Sequence, residues 1–266
     1  MSFSVSGKTA IVTGAANGVG LAIARHFVAG GANVMFADMD EEKLESEIGP
    51  LARTEGAVRI FGGDLRQKLT IANLVSATVE AFERIDILVN ASRQIVLSDP
   101  LNGAADGVED MLDQNLMTSL RVSQQVARRM ISQPEPATGS IGSIVNLSSI
   151  AARLTQPELL GYSISCAALD QMTRSLAVAL AAKRIRVNAV AFGSLMSGSL
   201  QHALKDHPAY RDTILHGTPM GRIASPSELA EAVQYLASDG SGFVTGQILT
   251  IDGGRSLMDP VAAPAH

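Results

Sequence analysis

Short, strongly apolar runs recur along this chain, separated by longer stretches whose apolar positions carry a helical period. Thr9–Thr13 (TAIVT) is the first predicted strand and ends at a glycine. Leu21–Val28 has helical spacing, with Gly30 and Gly31 as its stop signal. Asn33–Ala37 is a second strand followed by Asp38, Glu41–Arg53 a charged, solvent-facing helix, and Ala57–Phe61 a third strand. Leu69–Phe82 is helical in period, Ile85–Val89 makes a fourth strand, and Gly107–Met130 a long helix with a mixed polar face. The Pro/Gly loop Gln133–Gly142 leads to a buried strand at Ile144–Leu147. After it come a helix over Leu159–Ala182, a sixth strand at Arg186–Val190 and a seventh at Gln247–Ile251. Strands alternating with helices at this spacing predict an α/β fold: an open, doubly wound parallel sheet of about seven strands with helices on both faces. Its ligand crevice lies beyond the carboxyl ends of the strands. No repeat or interior linker interrupts the pattern, so one domain is expected over residues 1–258, with a low-order tail at 259–266.

Composition sharpens this picture. The 266 residues are 46% hydrophobic but only 4% aromatic, so the interior is built from Ala, Val, Ile and Leu, as suits strands buried on both faces. A net charge of −5 argues against nonspecific binding to nucleic acid or to an anionic membrane surface. No apolar run approaches the ~18 residues of a membrane span, and MSFSVSGK has no apolar leader core. One cysteine makes no internal disulfide, and a cytoplasmic protein is expected.

Two stretches carry candidate chemistry. Thr13–Gly20 (TGAANGVG) lies between the first strand and the first helix, and offers Gly14, Asn17, Gly18, Val19 and Gly20 to a pyrophosphate at a helix N-terminus. Asp38, eighteen residues past Gly20, ends the next strand. A carboxylate there accepts from both ribose hydroxyls of NAD and repels the 2′-phosphate of NADP, and with Met39 following and no Arg or Lys nearby in sequence, NAD is the expected cofactor. Asp64 and Asn90 end the third and fourth strand regions and either face the same crevice or serve as turn residues. The second stretch, Ile144–Ala168, places Ser149 at a strand end and Tyr162 thirteen residues later on a helix, so that both hydroxyls can converge. Cys166 follows four residues after Tyr162, on the same helix face.

With TGAANGVG, Asn90-Ala91, Asn115, Ser149 and Tyr162 in order, the chain resembles the short-chain dehydrogenase/reductase family from Lys8 to Gly254, including the ending Gly246-Gln247 through Asp252-Gly253-Gly254. The resemblance implies a Rossmann-like domain that moves a hydride between nicotinamide and a small secondary alcohol or ketone. Tyr162 would be the acid/base, Ser149 would hydrogen-bond the reacting oxygen, and Asn115 would bend its helix and hold a water in the proton relay. Cofactor contacts would also come from Leu65, Ala91, Ser92, Tyr162, Gly193, Leu195 and Ser197. The family also implies a homotetramer built on the two long helices.

Three departures cluster at one end of the site. Where the family has a lysine that binds the nicotinamide ribose and lowers the tyrosine's pKa, this chain has Cys166. A free tyrosine ionises near ~10, and a neutral thiol supplies no charge to bring that down. Uncompensated, the loss is expected to cost about 10²–10⁴ in rate. Ser92 stands where the family has glycine, and Phe192 where it has proline before Gly193. Arg93 and Arg153, on loops bordering the crevice, are the candidate replacement cations; either restores positive charge near Tyr162 or reads an acidic substrate. Cys166 is either a reactive thiol, which needs a positive neighbour, or a small buried residue. The segment 192–220, poor in regular pattern, is the expected substrate lid. Its histidines, His202, His207 and His216, lack metal-ligand spacing. Two functions follow: an NAD-dependent oxidoreductase, or an NAD-binding protein without useful turnover that partners an active relative.

Overall fold

Each apolar run becomes a strand whose alternate residues enter opposite cores. In the computed structural model, which describes residues 3–54, 56–103, 107–259 and 261, the strands are β1 (Thr9–Thr13), β2 (Asn33–Asp38), β3 (Val58–Gly62), β4 (Ile87–Asn90), β5 (Gly142–Ser149), β6 (Ile185–Phe192) and β7 (Ile248–Ile251). They form one sheet in the order β3-β2-β1-β4-β5-β6-β7, and every pairing is parallel. Ala10 and Val12 of β1 and Val34 and Phe36 of β2 enter one core, whereas Ile11, Met35 and Ala37 enter the other. That period of two, repeated on both faces, is why the runs are continuously apolar.

The helices, in chain order, are α1 (Gly18–Ala29), α2 (Glu41–Thr54), α3 (Lys68–Phe82), α4 (Val108–Met111), α5 (Thr118–Ser132), α6 (Leu160–Ala181), α7 (Gly198–Asp206), α8 (Ala209–His216) and α9 (Pro226–Ala237). The first core is closed by α1, α2 and α9 through Ile23, Phe27, Leu44, Ile48, Leu229 and Val233. The second is closed by α3, α5 and α6 through Ile71, Leu74, Val122, Val126 and Ala177. None of the described helices is long and apolar enough to cross a membrane.

Two expectations need correction. The helix expected over Gly107–Met130 is α4 and α5 joined by a π-helical segment, Leu112–Met117, with Asn115 at its buried side. A widened turn of this kind follows from tertiary demands on one residue and leaves no trace in the apolar period. The segment 192–220 holds two helices, α7 and α8, rather than irregular chain. Helix α9 adds an element to the expected set, and its start is marked by Ser225, Pro226 at the first helical position and Glu228, with Ser225 and Glu228 forming a capping box. The expected tail lies largely outside the described residues.

Candidate active site

Strand order reverses between β1 and β4, and the crevice opens there, beyond the carboxyl ends of the strands. On one side the glycine turn enters α1. Gly18 has φ +54°, and a Cβ built on it meets nothing within 4 Å. Gly20 is the opposite case, since a Cβ there would collide with the carbonyl oxygen of Gly14. The turn is therefore closed beneath and open above, with no acidic side chain in the first turn of α1 to oppose an anion. Asp38 fixes this turn: its carboxylate accepts from the Ala16 amide at 2.9 Å and from the Asp40 amide at 3.1 Å. Gly14, Asp38, Met39, Asp64, Leu65 and Ser92 line one small cleft, together with Arg66, Gln114 and Thr118. The residues present thus fit a dinucleotide: an open cradle for the pyrophosphate and a carboxylate one strand away for a ribose.

Arg66 revises the expectation that no cation stands near Asp38. It lines the same cleft, although local sequence gave no sign of it. It is held by Asp64, with bonds of 2.8–3.1 Å to both carboxylate oxygens, and the guanidinium keeps the Asp64 carboxyl below its usual range. Asn90 also differs from expectation. Its side chain is buried within the sheet, where the amide donates to Ser123 at 2.9 Å and to Asn146 at 2.8 Å, and Asn146 donates onward to Thr173 at 2.9 Å. Both donors of the Asn90 amide serve the interior. Ala91 and Ser92 are anchored through their amides to the Thr13 hydroxyl at 3.0 and 3.1 Å.

On the other side, β5 delivers Ser149 at its last position, and the Ser149 hydroxyl accepts from the Ala151 amide at 3.1 Å, which fixes its rotamer. Tyr162 comes from the first turn of α6. Its hydroxyl is bonded by Arg93 Nη1 at 2.6 Å, and the Ser149 hydroxyl and the Cys166 thiol lie close enough to bear on its ionisation. Burial pushes the Tyr162 phenol above its ordinary range; the Arg93 charge is the largest opposing influence, and the Cys166 thiol works against ionisation. Burial likewise raises the Cys166 thiol, again opposed by Arg93. At 4% exposure Cys166 is a neutral, buried thiol, which answers against a reactive role.

Asn115 meets this group from the π-helical turn. Its side-chain oxygen accepts from the Gln94 amide at 2.8 Å, while its amide donates to the Gln94 carbonyl at 3.0 Å and to the Ser165 hydroxyl at 3.1 Å. The side chain thus grips the backbone of the loop after β4 and the Ser165 hydroxyl. Gly193 follows β6 and is tied to Ile251 at 3.1 Å, Leu195 is buried and bridges to Ala224, and Ser197 caps α7 by accepting from the Leu200 amide at 3.3 Å. The three histidines are otherwise engaged: His202 faces Asp206 at 3.6 Å, His207 stacks on Tyr210, and His216 meets the Asp212 carbonyl. Arg93 was one of two candidate cations; the other, Arg153, is exposed and lends its charge to Asp170.

A parallel sheet with an open glycine cradle at its switch point, beside a converged serine and tyrosine, defines a nucleotide-dependent oxidoreductase. The chain belongs to the short-chain dehydrogenase/reductase family, whose members bind nicotinamide cofactors. A family model described as enoyl-(acyl carrier protein) reductase matches residues 14–256. The chain is 34% identical over 253 residues to 3-oxoacyl-(acyl-carrier-protein) reductase FabG of Thermotoga maritima, covering 94% of this chain and 98% of that relative. It is 32% identical over 257 residues to galactitol 2-dehydrogenase (L-tagatose-forming) of Cereibacter sphaeroides, covering 96% and 97%. Among solved structures, a gluconate 5-dehydrogenase from Burkholderia cenocepacia in complex with NADP and tartrate superposes with a TM-score of 0.86 at 30% identity, covering 97% of this chain and 98% of that one.

Proposed function

We propose that this protein is an NAD-dependent oxidoreductase acting on a secondary alcohol or the corresponding ketone, with Tyr162 as acid/base and Ser149 as the group that orients the reacting oxygen. The observation that carries this reading is the convergence of the Ser149 and Tyr162 hydroxyls at the end of β5. Nicotinamide, when bound, supplies the hydride acceptor or donor. The protein supplies the proton path: in oxidation the Tyr162 phenolate takes the hydroxyl proton as the carbon gives up its hydride, and in reduction the phenol returns it. Ser149, its rotamer fixed by the Ala151 amide, donates to the same substrate oxygen and holds it against the tyrosine. The glycine turn over residues 14–20 would hold the pyrophosphate, and Asp38 the adenosine ribose.

Preference for NAD rests on Asp38, whose charge opposes a 2′-phosphate, and on Arg66, which is already committed to Asp64. The homotetramer forms through the long helices; exposed apolar residues on them, Val178 (81% exposed) and Ile164 on α6 and Ile131 on α5, support that reading. Light scattering on the purified chain checks it, and a monomer contradicts it.

The test of function is cofactor reduction with NAD and with NADP over a panel of secondary alcohols. The panel includes sugar alcohols and sugar acids, since similar proteins bear the names of galactitol and gluconate dehydrogenases. The expected result is turnover that favours NAD and falls by about 10²–10⁴ in Tyr162→Phe. Cofactor binding with no turnover in either direction would favour the partner-subunit reading instead.

A further inference from the structure

Arg93 stands in the segment just past β4, and its place there is built rather than incidental. Upstream, the Thr13 hydroxyl accepts the amides of Ala91 and Ser92. Downstream, Asn115 holds both the N–H and the carbonyl of Gln94. The backbone carrying Arg93 is therefore pinned on both sides. The side chain is held as well: its guanidinium carbon lies 4.1 Å from the centre of the Phe192 ring, and Nη1 donates to the Ser148 carbonyl at 3.4 Å as well as to Tyr162 at 2.6 Å. Phe192 ends β6 opposite Ser149, so the ring that holds the guanidinium belongs to the strand beside the reacting hydroxyls. Among the described residues no carboxylate pairs with Arg93, so its charge is not neutralised.

We propose that Arg93 is the positioning residue that supplies the positive charge beside the Tyr162 phenol oxygen, delivered from the β4 loop and clamped by Phe192 in place of a cation on the tyrosine's own helix. The inference deepens the acid/base reading of Tyr162 and rests on it. A guanidinium only donates, so the tyrosine oxygen accepts from it and the phenol keeps its own proton for the substrate. Once that proton has left, the bond becomes charge-assisted on both sides, which favours the phenolate. Arginine stays protonated throughout the working range, and its flat face suits an aromatic ring as an ammonium's does not. Two of the departures from the family then form one unit with Arg93: Cys166 leaves room and no charge, Arg93 brings the charge, and Phe192 holds it.

The other titratable groups facing this oxygen are few. Cys166 is neutral, and Asp170, one turn further along the same face of α6, has its carboxyl pushed up by burial. The protein has three tyrosines, so in a Tyr210→Phe/Tyr235→Phe background the phenolate absorbance reports Tyr162 without needing a substrate. Adding Arg93→Ala to that background is expected to raise the alkaline titration midpoint by roughly 1–3 pH, with Arg93→Lys in between. If Arg93→Ala does not fold, Arg93→Met, which keeps the stem against Phe192, carries the same comparison. A variant that titrates as its parent does overturns the proposal. So does a variant that only raises KM for carboxylate-bearing substrates, since Arg93 would then be a substrate clamp. A raised midpoint in a protein that turns over nothing would uphold the placement of charge and sink the acid/base reading alone.

Discussion

At the Asp38 end of the crevice, groups are held by partners one or two turns away in sequence or on the neighbouring strand. Asp38 ties the glycine turn, Asp64 ties Arg66, and Gly20 lets α1 start hard against Gly14. At the Tyr162 end the bonds span the chain: Arg93 reaches Tyr162 across 69 residues, and Asn115 reaches Ser165 across 50. The first end is local geometry shaped to receive an anion. The second is a tertiary assembly in which one cation is positioned by three separate elements. A site of the first kind tolerates little change in its glycines, whereas a site of the second kind can relocate a charge as long as the charge arrives.

That contrast can be broken most forcefully at the tyrosine. Tyr162→Phe removes the proton carrier and is expected to lower kcat by about 10²–10⁴ while leaving NAD affinity within a few-fold, as read by steady-state kinetics alongside fluorescence titration of cofactor. Equal losses in both would mean that the two ends are not separable. Asp38→Asn should do the reverse, weakening NAD by about 10–100-fold and narrowing the gap to NADP with kcat nearly kept, as follows from losing hydrogen bonds to a charged acceptor worth roughly 1.5–3 kcal/mol. Gly20→Ala forces a methyl into the Gly14 carbonyl and is expected to cost roughly 1–3 kcal/mol of stability, measurable by urea denaturation, together with weaker cofactor binding. The smallest effect is expected far from both ends. Ser225→Ala removes the cap of α9 for about 1 kcal/mol and should leave kinetics untouched.

The strands were legible because a sheet buried on both faces writes itself as short apolar runs: TAIVT at Thr9–Thr13 and the run ending at Asp38 fall where periodicity placed them. Helices α7 and α8 were not, since Phe192–Met220 lacks a sustained apolar stripe and much of its surface stays exposed. The π-helical turn at Asn115 left no trace in the apolar period, because it answers to Gln94 and Ser165 rather than to its neighbours in sequence, and only the family resemblance placed a bend there. In the site, Ser149 and Tyr162 could be singled out by their spacing, and Cys166 only because the family resemblance puts a lysine there. Asn90 could not be placed, because an asparagine at a strand end looks the same whether it faces the crevice or, as here, Asn146 and Ser123. Sequence narrowed the substitute cation to Arg93 or Arg153. Choosing between them required knowing that β6 sets Phe192 beneath the β4 loop while Arg153 stays in solvent.

The central claim is that the chain is an active enzyme whose missing helix cation is replaced from the β4 loop. Its most direct test is NADH formation by wild type and by Cys166→Lys over the same panel of secondary alcohols, at matched cofactor saturation. The account predicts that wild type turns over and that the lysine variant gains less than about tenfold, the factor that each pH of change in the tyrosine's ionisation would bring. Turnover by the lysine variant alone would contradict it, because Arg93 would then be standing beside Tyr162 without doing the work of the cation.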